Sequence, residues 1–189
     1  MTRITFKRTI ARQRTRAQER RSIHEHAATL ISSAKRSIFA LQRDDVRTAE
    51  KELATAAKAY KTGASLVRKD PALASDGPWL AALEEHCEAL LFHRFVTHGT
   101  LEDADLSVTD PESVIGGLSD VVGEFARLAV LKATAGDRKA VESLYVAGRK
   151  VVGVLLAMDL TGNLRSKFDQ SKNALRKLEE IRYELSRRA

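Results

Sequence analysis

Apolar residues recur along this chain at helical spacing. Ile23, Ala27, Leu30, Ile31, Ala34, Ile38 and Leu41 share one side of a helical projection. They predict one long helix, or two collinear ones, from about Thr5 to Leu41. Asp44 or Asp45 can cap a second helix that runs to about Val67, with Ala49, Leu53, Ala56, Ala57, Tyr60 and Leu66 on its apolar side. Lys69 to Pro78 carries Asp, Ser, Gly and two prolines and reads as a loop. A third helix is predicted from Trp79 to Thr97, followed by an acidic, polar loop from Gly99 to Asp110. Thr109, Asp110 and Pro111 make a helix start, a cap followed by proline in the first turn. The fourth helix then runs to about Ala135. Gly136 suits its C-terminal cap, and Asp137 caps a fifth helix ending near Asp159. A last helix spans Leu164 to Arg187. Its Leu164, Phe168, Leu175, Leu178 and Leu185 repeat in near-heptad fashion, which suits a partner-helix seam or ordinary core packing. The expected fold is all-α, a single helical domain over residues 1–189.

Composition agrees with this pattern. The 189 residues include only three prolines, so long stretches are free to be helical. With 43% hydrophobic and 30% charged residues, the chain can bury a core and keep a solvated surface. No apolar run reaches the length of a membrane span. The Arg-rich start lacks the apolar stretch of a secretory signal. The lone cysteine, Cys87, excludes an intramolecular disulfide and a Cys-based zinc site within one chain, which fits a reducing, cytoplasmic setting.

Charge divides the chain. Residues 1–50 hold 12 Lys/Arg against 5 Asp/Glu, whereas residues 71–163 hold 7 against 14. Residues 164–189 are basic again, with 8 against 4. This segregation suggests two kinds of site. In the first part, Arg3, Lys7, Arg14 and Arg21 accompany Arg8, Arg12, Arg16 and Arg20, whose spacing of four forms a row along a helix. Guanidiniums in such a row can meet successive phosphates bidentately. A solvated helix face or an oligomer contact explains the run equally well. No aromatics interleave with it, so base stacking is not indicated there.

The acidic middle is more specific. On the third helix Glu88 falls between Phe92 and Phe95 in projection, and Glu85 lies near Phe92, so these acids extend an apolar stripe. Between Val114 and Leu131 the only charged residues are Asp120, Glu124 and Arg127, all within about 60° of one another on a helical wheel. So apolar a helix is expected to be largely buried, and buried carboxylates need a partner. Arg127 can neutralise one. A hard cation, Mg²⁺ or Mn²⁺, accepts such carboxylate donors and could promote in-line attack on a phosphodiester. Solvated or salt-bridged acids remain an open reading of the same spacing. No histidine has an acid three residues before it, which excludes the Glu-x-x-His pairs of a di-iron bundle. Cys87 has no evident base and reads as core. His93, within two turns of Glu88, could join the acids, but a surface or capping role suits it better.

Several stretches resemble the translin and translin-associated factor X family. Glu85-His86-Cys87-Glu88-Ala89-Leu90-Leu91-Phe92-His93-Arg94-Phe95 is similar to that family's E-x-x-E-A-x-x-F-x-x-F segment. Gly117-Leu118-Ser119-Asp120-Val121-Val122-Gly123-Glu124-Phe125-Ala126-Arg127 is similar to its G-x-x-D-x-x-G-E-x-x-R segment, and Gly136-Asp137 matches a Gly-Asp that follows. The run from Asn163 through Lys167, Phe168, Lys177, Tyr183 and Arg188 resembles the C-terminal helix, and Lys35-Arg36-Ser37-Ile38-Phe39 resembles another shared patch. The resemblance covers nearly the whole chain. It implies a helical bundle of about seven helices and assembly into a closed homo-oligomer, often an octamer. It also implies binding of single-stranded RNA or DNA. In the catalytic members it implies metal-dependent endoribonuclease activity, with the acidic ligands at Glu85, Glu88, Asp120 and Glu124 and Mg²⁺ or Mn²⁺ as cofactor. Lys35, Arg36 and Arg127 join the arginine row as candidate nucleic-acid contacts. The alternative is a member that binds single strands without cutting them.

Overall fold

The computed structural model describes residues 6–102, 106, 108 and 110–187. Arg3, Thr5, Thr109 and Arg188, named above, lie outside them. Among the described residues there are six α-helices: α1 (Lys7–Leu41), α2 (Val46–Lys69), α3 (Gly77–His98), α4 (Pro111–Thr134), α5 (Arg138–Leu156) and α6 (Gly162–Arg187). A 3₁₀ turn, Pro71–Ser75, occupies the segment expected to be a loop. No helix among the described residues is long and apolar enough to cross a membrane.

The helix ends follow their capping chemistry. Asp45, not Asp44, accepts the Thr48 N–H at 3.0 Å and starts α2. Asp44 instead turns the chain with a φ of 60°. Asp110 accepts from the Ser113 N–H at 2.8 Å and Asp137 from the Ala140 N–H at 2.9 Å. Gly136 takes a φ of 76° after α4. Helix α3 starts before Trp79 because Pro78 fits the first turn, where no N–H is needed. Helix α5 stops at Leu156, short of Asp159. Helix α1 is one unbroken helix rather than two.

Helix α1 packs along α2 and α3, α4 packs against α3, α5 and α6, and α5 packs against α6. Two apolar clusters result. One joins Ile23, Ala27 and Leu30 of α1 to Trp79, Leu83 and Cys87 of α3. The larger one centres on Phe92, Phe95 and Phe125, with Leu144 and Leu155 of α5 and Phe168 and Leu178 of α6. Phe168 and Leu178 are therefore core residues, so the near-heptad pattern of α6 is explained by packing within the chain. The first turns of α1 have no such partner: every residue from Phe6 to Gln18 is exposed. This arm carries Arg8 and Arg12 clear of the bundle.

Helices α3 and α4 meet backbone to backbone at Gly117. A Cβ there would lie 2.6 Å from Cys87 Cβ and 2.8 Å from both the Glu84 carbonyl oxygen and the Glu88 nitrogen. At Gly116 it would overlap the Glu84 side chain, at 2.7 Å from Oε2. Gly123, two turns on, meets nothing within 4 Å. Gly117→Ala should therefore lose about 1–3 kcal/mol, the cost of overpacking, despite the better helix propensity of alanine. Gly123→Ala should instead gain about 0.4–1 kcal/mol. Urea unfolding of the two variants beside the parent measures both signs, and equal behaviour would contradict the close contact.

Candidate functional site

The close approach of α3 and α4 places their acids against each other. Glu84, Glu85 and Glu88 come from α3, and Asp120 and Glu124 from α4. Helix α1 contributes Lys35 and Gln42, and α6 contributes Lys167. Glu88 is the most enclosed acid, with 8% of its surface exposed. It makes no ion pair or side-chain hydrogen bond with another described residue. Burial pushes its carboxyl up to about 8, and the charges of Glu85, Asp120 and Glu124 push the same way. Only Lys167 opposes them.

The other acids have partners. Lys35 Nζ stands 3.5 Å from Glu85 Oε2. Burial still holds the Glu85 carboxyl above its ordinary value, with Asp120 and Glu124 adding to the effect and Lys35 reducing it. Glu124 accepts from the Gln42 side-chain amide and pairs with Arg127 Nη1 at 3.1 Å. Its pKa is also raised, by burial against the opposing pull of Arg127 and Gln42. Lys167 Nζ bridges Asp120 Oδ2 at 2.5 Å and Glu84 Oε2 at 2.9 Å. Burial disfavours the Lys167 charge, but its hydrogen bonds to Asp120 and Glu84 outweigh this and raise its pKa.

Sequence reasoning named four of these acids and did not single out Glu84 or Lys167 as site residues. Glu84 was visible one turn before Glu88. Lys167 carries no local signal, because its partner Asp120 is 47 residues away. The α4 acids sit at a half-buried seam rather than on a wholly buried face, since Val130 and Leu131 beyond them are exposed. His93 turns away, 3.8 Å from Glu50 on α2. Cys87 is fully buried, with its thiol pushed up to about 12, mainly by burial, and is no nucleophile.

The basic candidates separate into two groups. Lys35 and Arg127 belong to the acidic group, and Arg36 is paired with Glu52 at 3.0 Å. The arginine row begins elsewhere. At 1.5 Å per residue, Arg20 lies about 22 Å and Arg8 about 40 Å along α1 from Lys35. Residues spaced by four also drift about 40° per step, so the row spirals. Arg16 and Arg20 curl onto Asp70 and Asp76, at 3.8 and 3.4 Å. His24 Nε2 shares the Asp76 carboxylate at 2.9 Å. Arg8 and Arg12 make no ion pair with a described residue.

The donor chemistry of the acidic group fits a hard dication: carboxylate oxygens throughout, with one buried acid lacking a cation of its own. The side chains are not gathered into a finished ligand cage. Among the described residues, no three His, Cys, Asp or Glu groups stand close enough to hold a metal ion. Glu85, Glu88, Asp120 and Glu124 are neighbours in charge, while two of them are turned to lysines.

The raised Glu88 carboxyl has a consequence for stability. In the fold it keeps its proton to about pH 8, against 4.5 for an ordinary glutamate. The folded chain therefore binds more protons than the unfolded one between these values, and stability falls as pH rises through the window. His86, fully enclosed and held to about 4 by burial, acts oppositely, but only below its ordinary 6.5. Glu88→Gln should thus flatten the decline in urea midpoint between about 6.5 and 8. A slope unchanged by the substitution, measured in chelator, would contradict this.

Comparison with known proteins places the chain. No curated protein matches it in sequence. Among solved structures, apo-NeC3PO superposes with a TM-score of 0.87 at 20% identity, covering 98% of this chain and all (100%) of that one. The AfC3PO–duplex RNA complex superposes at 0.86 and 20% identity, covering 97% of each chain. AfC3PO itself does so at 0.82 and 22%, covering 96% of this chain and 97% of that one. These neighbours share the all-helical fold. The family model described as Translin family matches residues 18–189, and the chain belongs to that family.

Proposed function

We propose that this protein is a nucleic-acid-binding member of the Translin family that cleaves single-stranded RNA with divalent cation assistance. The observation that carries the reading is the convergence of Glu85, Glu88, Asp120 and Glu124 at the α3–α4 contact, with Glu88 buried and lacking a cation. Isolated solvated acids would not sit this way, because burying uncompensated carboxylates is costly. Structural acids would be expected to carry a full set of partners. RNA as the substrate class is supported by family membership and by the duplex RNA bound to AfC3PO.

Mg²⁺ or Mn²⁺ held by these four acids would supply a Lewis acid at the scissile phosphate. The chain's own residues would do the rest. Gln42 and Arg127 fix the Glu124 carboxylate. Arg127, largely exposed, faces solvent where a phosphate can reach it. Phe92 and Phe95 of α3 pack ring against ring with Phe125 of α4, joining the two helices that carry the acids. Arg8 and Arg12 would hold phosphates farther along the strand, with Arg16 and Arg20 exchanging Asp70 and Asp76 for RNA. The separation of this row from the acids suits either a strand running along α1 or an arm supplied by a second copy in a homo-oligomer. A non-cutting binder is the second reading. The lysines on Asp120 and Glu85 favour it, since they already compensate two of the acids.

A labelled RNA single strand, with a duplex and a DNA single strand beside it, distinguishes these readings. Cleavage is expected in Mg²⁺ or Mn²⁺, abolished by chelator and reduced at least about 100-fold by Glu85→Ala or Asp120→Ala. Cleavage surviving chelation or both substitutions would refute the nuclease. Binding without cleavage in any metal would establish the second reading. Arg8→Ala with Arg12→Ala should weaken binding of every sequence and reduce the salt slope by about 1.4–1.8 for the two lost contacts. A slope that does not change would remove the arm from the interface.

A further inference from the structure

Lys167 enters the acidic group from a different direction than any acid. It comes from α6, with its amine within hydrogen-bond distance of carboxylates on both α3 and α4. Its side chain is only 18% exposed, whereas those of Lys35 and Arg127 are 63% and 67% exposed. It is therefore the one enclosed cation among the partners described for these acids. Helix α6 has other anchors besides it. Phe168 and Leu178 anchor that helix in the core, and Ser171 Oγ donates to the Ser119 carbonyl oxygen of α4 at 2.9 Å.

A charged side chain placed between acids calls for an electrostatic account. The ammonium neutralises part of a group of five acids whose ionised members would otherwise repel one another across the α3–α4 contact. A dication on the same acids would meet that ammonium as a like charge at short range in a half-buried setting, where screening is weak. The two cannot share Asp120 Oδ2 without strong repulsion. The geometry agrees: the Asp120 carboxylate is turned onto Lys167, and no three acids among the described residues are gathered as ligands.

We propose that Lys167 is the internal counter-cation of this site, a positioning residue whose ammonium and a divalent cation are alternative occupants of the Asp120 carboxylate. This inference rests on the reading of the acids as cation donors. Binding of the dication frees the lysine amine from Asp120. Still tethered to α6, that amine is left beside the site as a point charge for an anionic ligand. The site thus keeps Asp120 and Glu84 compensated at low cation concentration and trades one positive group for another when the cation arrives.

The probe is Mn²⁺ alone, titrated against the thermal midpoint of the full chain, Lys167→Met and Lys167→Arg. Lys167→Met should have a lower midpoint in chelator, recover it with Mn²⁺, and reach half-effect at about tenfold less Mn²⁺ than the parent. Lys167→Arg should behave as the parent does. An unchanged half-effect in Lys167→Met overturns the proposal, as does a failure of every form to respond. A response in Lys167→Met but not in the parent upholds the competition while refuting a resident cation, so the two readings fail separately. Should Lys167→Met not fold, the parent decides. An amine-reactive reagent, read by peptide mass spectrometry, should modify Lys167 several-fold faster with Mn²⁺ than without. Lys172, paired with Asp169 on the same helix, supplies the control rate. Equal acceleration at both lysines, or none at Lys167, overturns the proposal.

Discussion

The contact between α3 and α4 at Gly117 is the constraint on which the rest of the site depends. Two helices with ordinary side chains at their crossing stand about 8–10 Å apart. Here a glycine lets the α4 backbone rest on the carbonyl of Glu84 and the nitrogen of Glu88. At that separation the acids one turn to either side have nowhere to diverge. Glu88 is enclosed, Glu85 is half-enclosed, and the charges of Asp120 and Glu124 reach both. The aromatic cluster of Phe92, Phe95 and Phe125 continues the same seam and secures it with apolar burial. Close packing and electrostatic tension are thus two results of one approach.

The tension is relieved unevenly. Glu124 receives an amide and a guanidinium, Glu85 an exposed lysine, and Asp120 shares Lys167 with Glu84. Glu88 receives no direct partner, only the charge of Lys167, and burial with its acidic neighbours raises its carboxyl. A fold selected only for stability would replace such an acid with an apolar residue, because neighbouring positions on α3 already feed the core. Retaining it beside three others is the pattern expected of a group held ready for a ligand. The arginine arm follows the opposite rule. Its first turns are exposed, and Arg8 and Arg12 on them make no ion pair with a described residue, so their charge is available to solvent and polyanions.

Much of this was legible from residue order. Helical periodicity located all six helices, because an amphipathic helix writes its buried face into the sequence every third or fourth residue. Asp110 and Asp137 announced helix starts through local capping, which involves only neighbours in the chain. The acids on α3 and α4 stood out because they interrupt apolar stripes. The resemblance of several stretches, in order over nearly the whole chain, pointed to the family that the match over residues 18–189 establishes.

What residue order could not supply were relations between distant segments. Gly117 was visible in the sequence, but the reason for it, backbone contact with α3, exists only once the helices cross. Lys167 looked like one more cation on a basic helix until folding set it against Asp120 and Glu84. Arg36 looked free and proved paired with Glu52, and the four arginines that read as a straight row spiral around α1, two of them drawn onto Asp70 and Asp76. The sequence by itself determined the helices, their caps, the family and the segregation of charge, since each depends on local propensity, periodicity or composition. Only the tertiary structure decided which charges meet, because ion pairing and burial depend on distances that the chain sets when it packs.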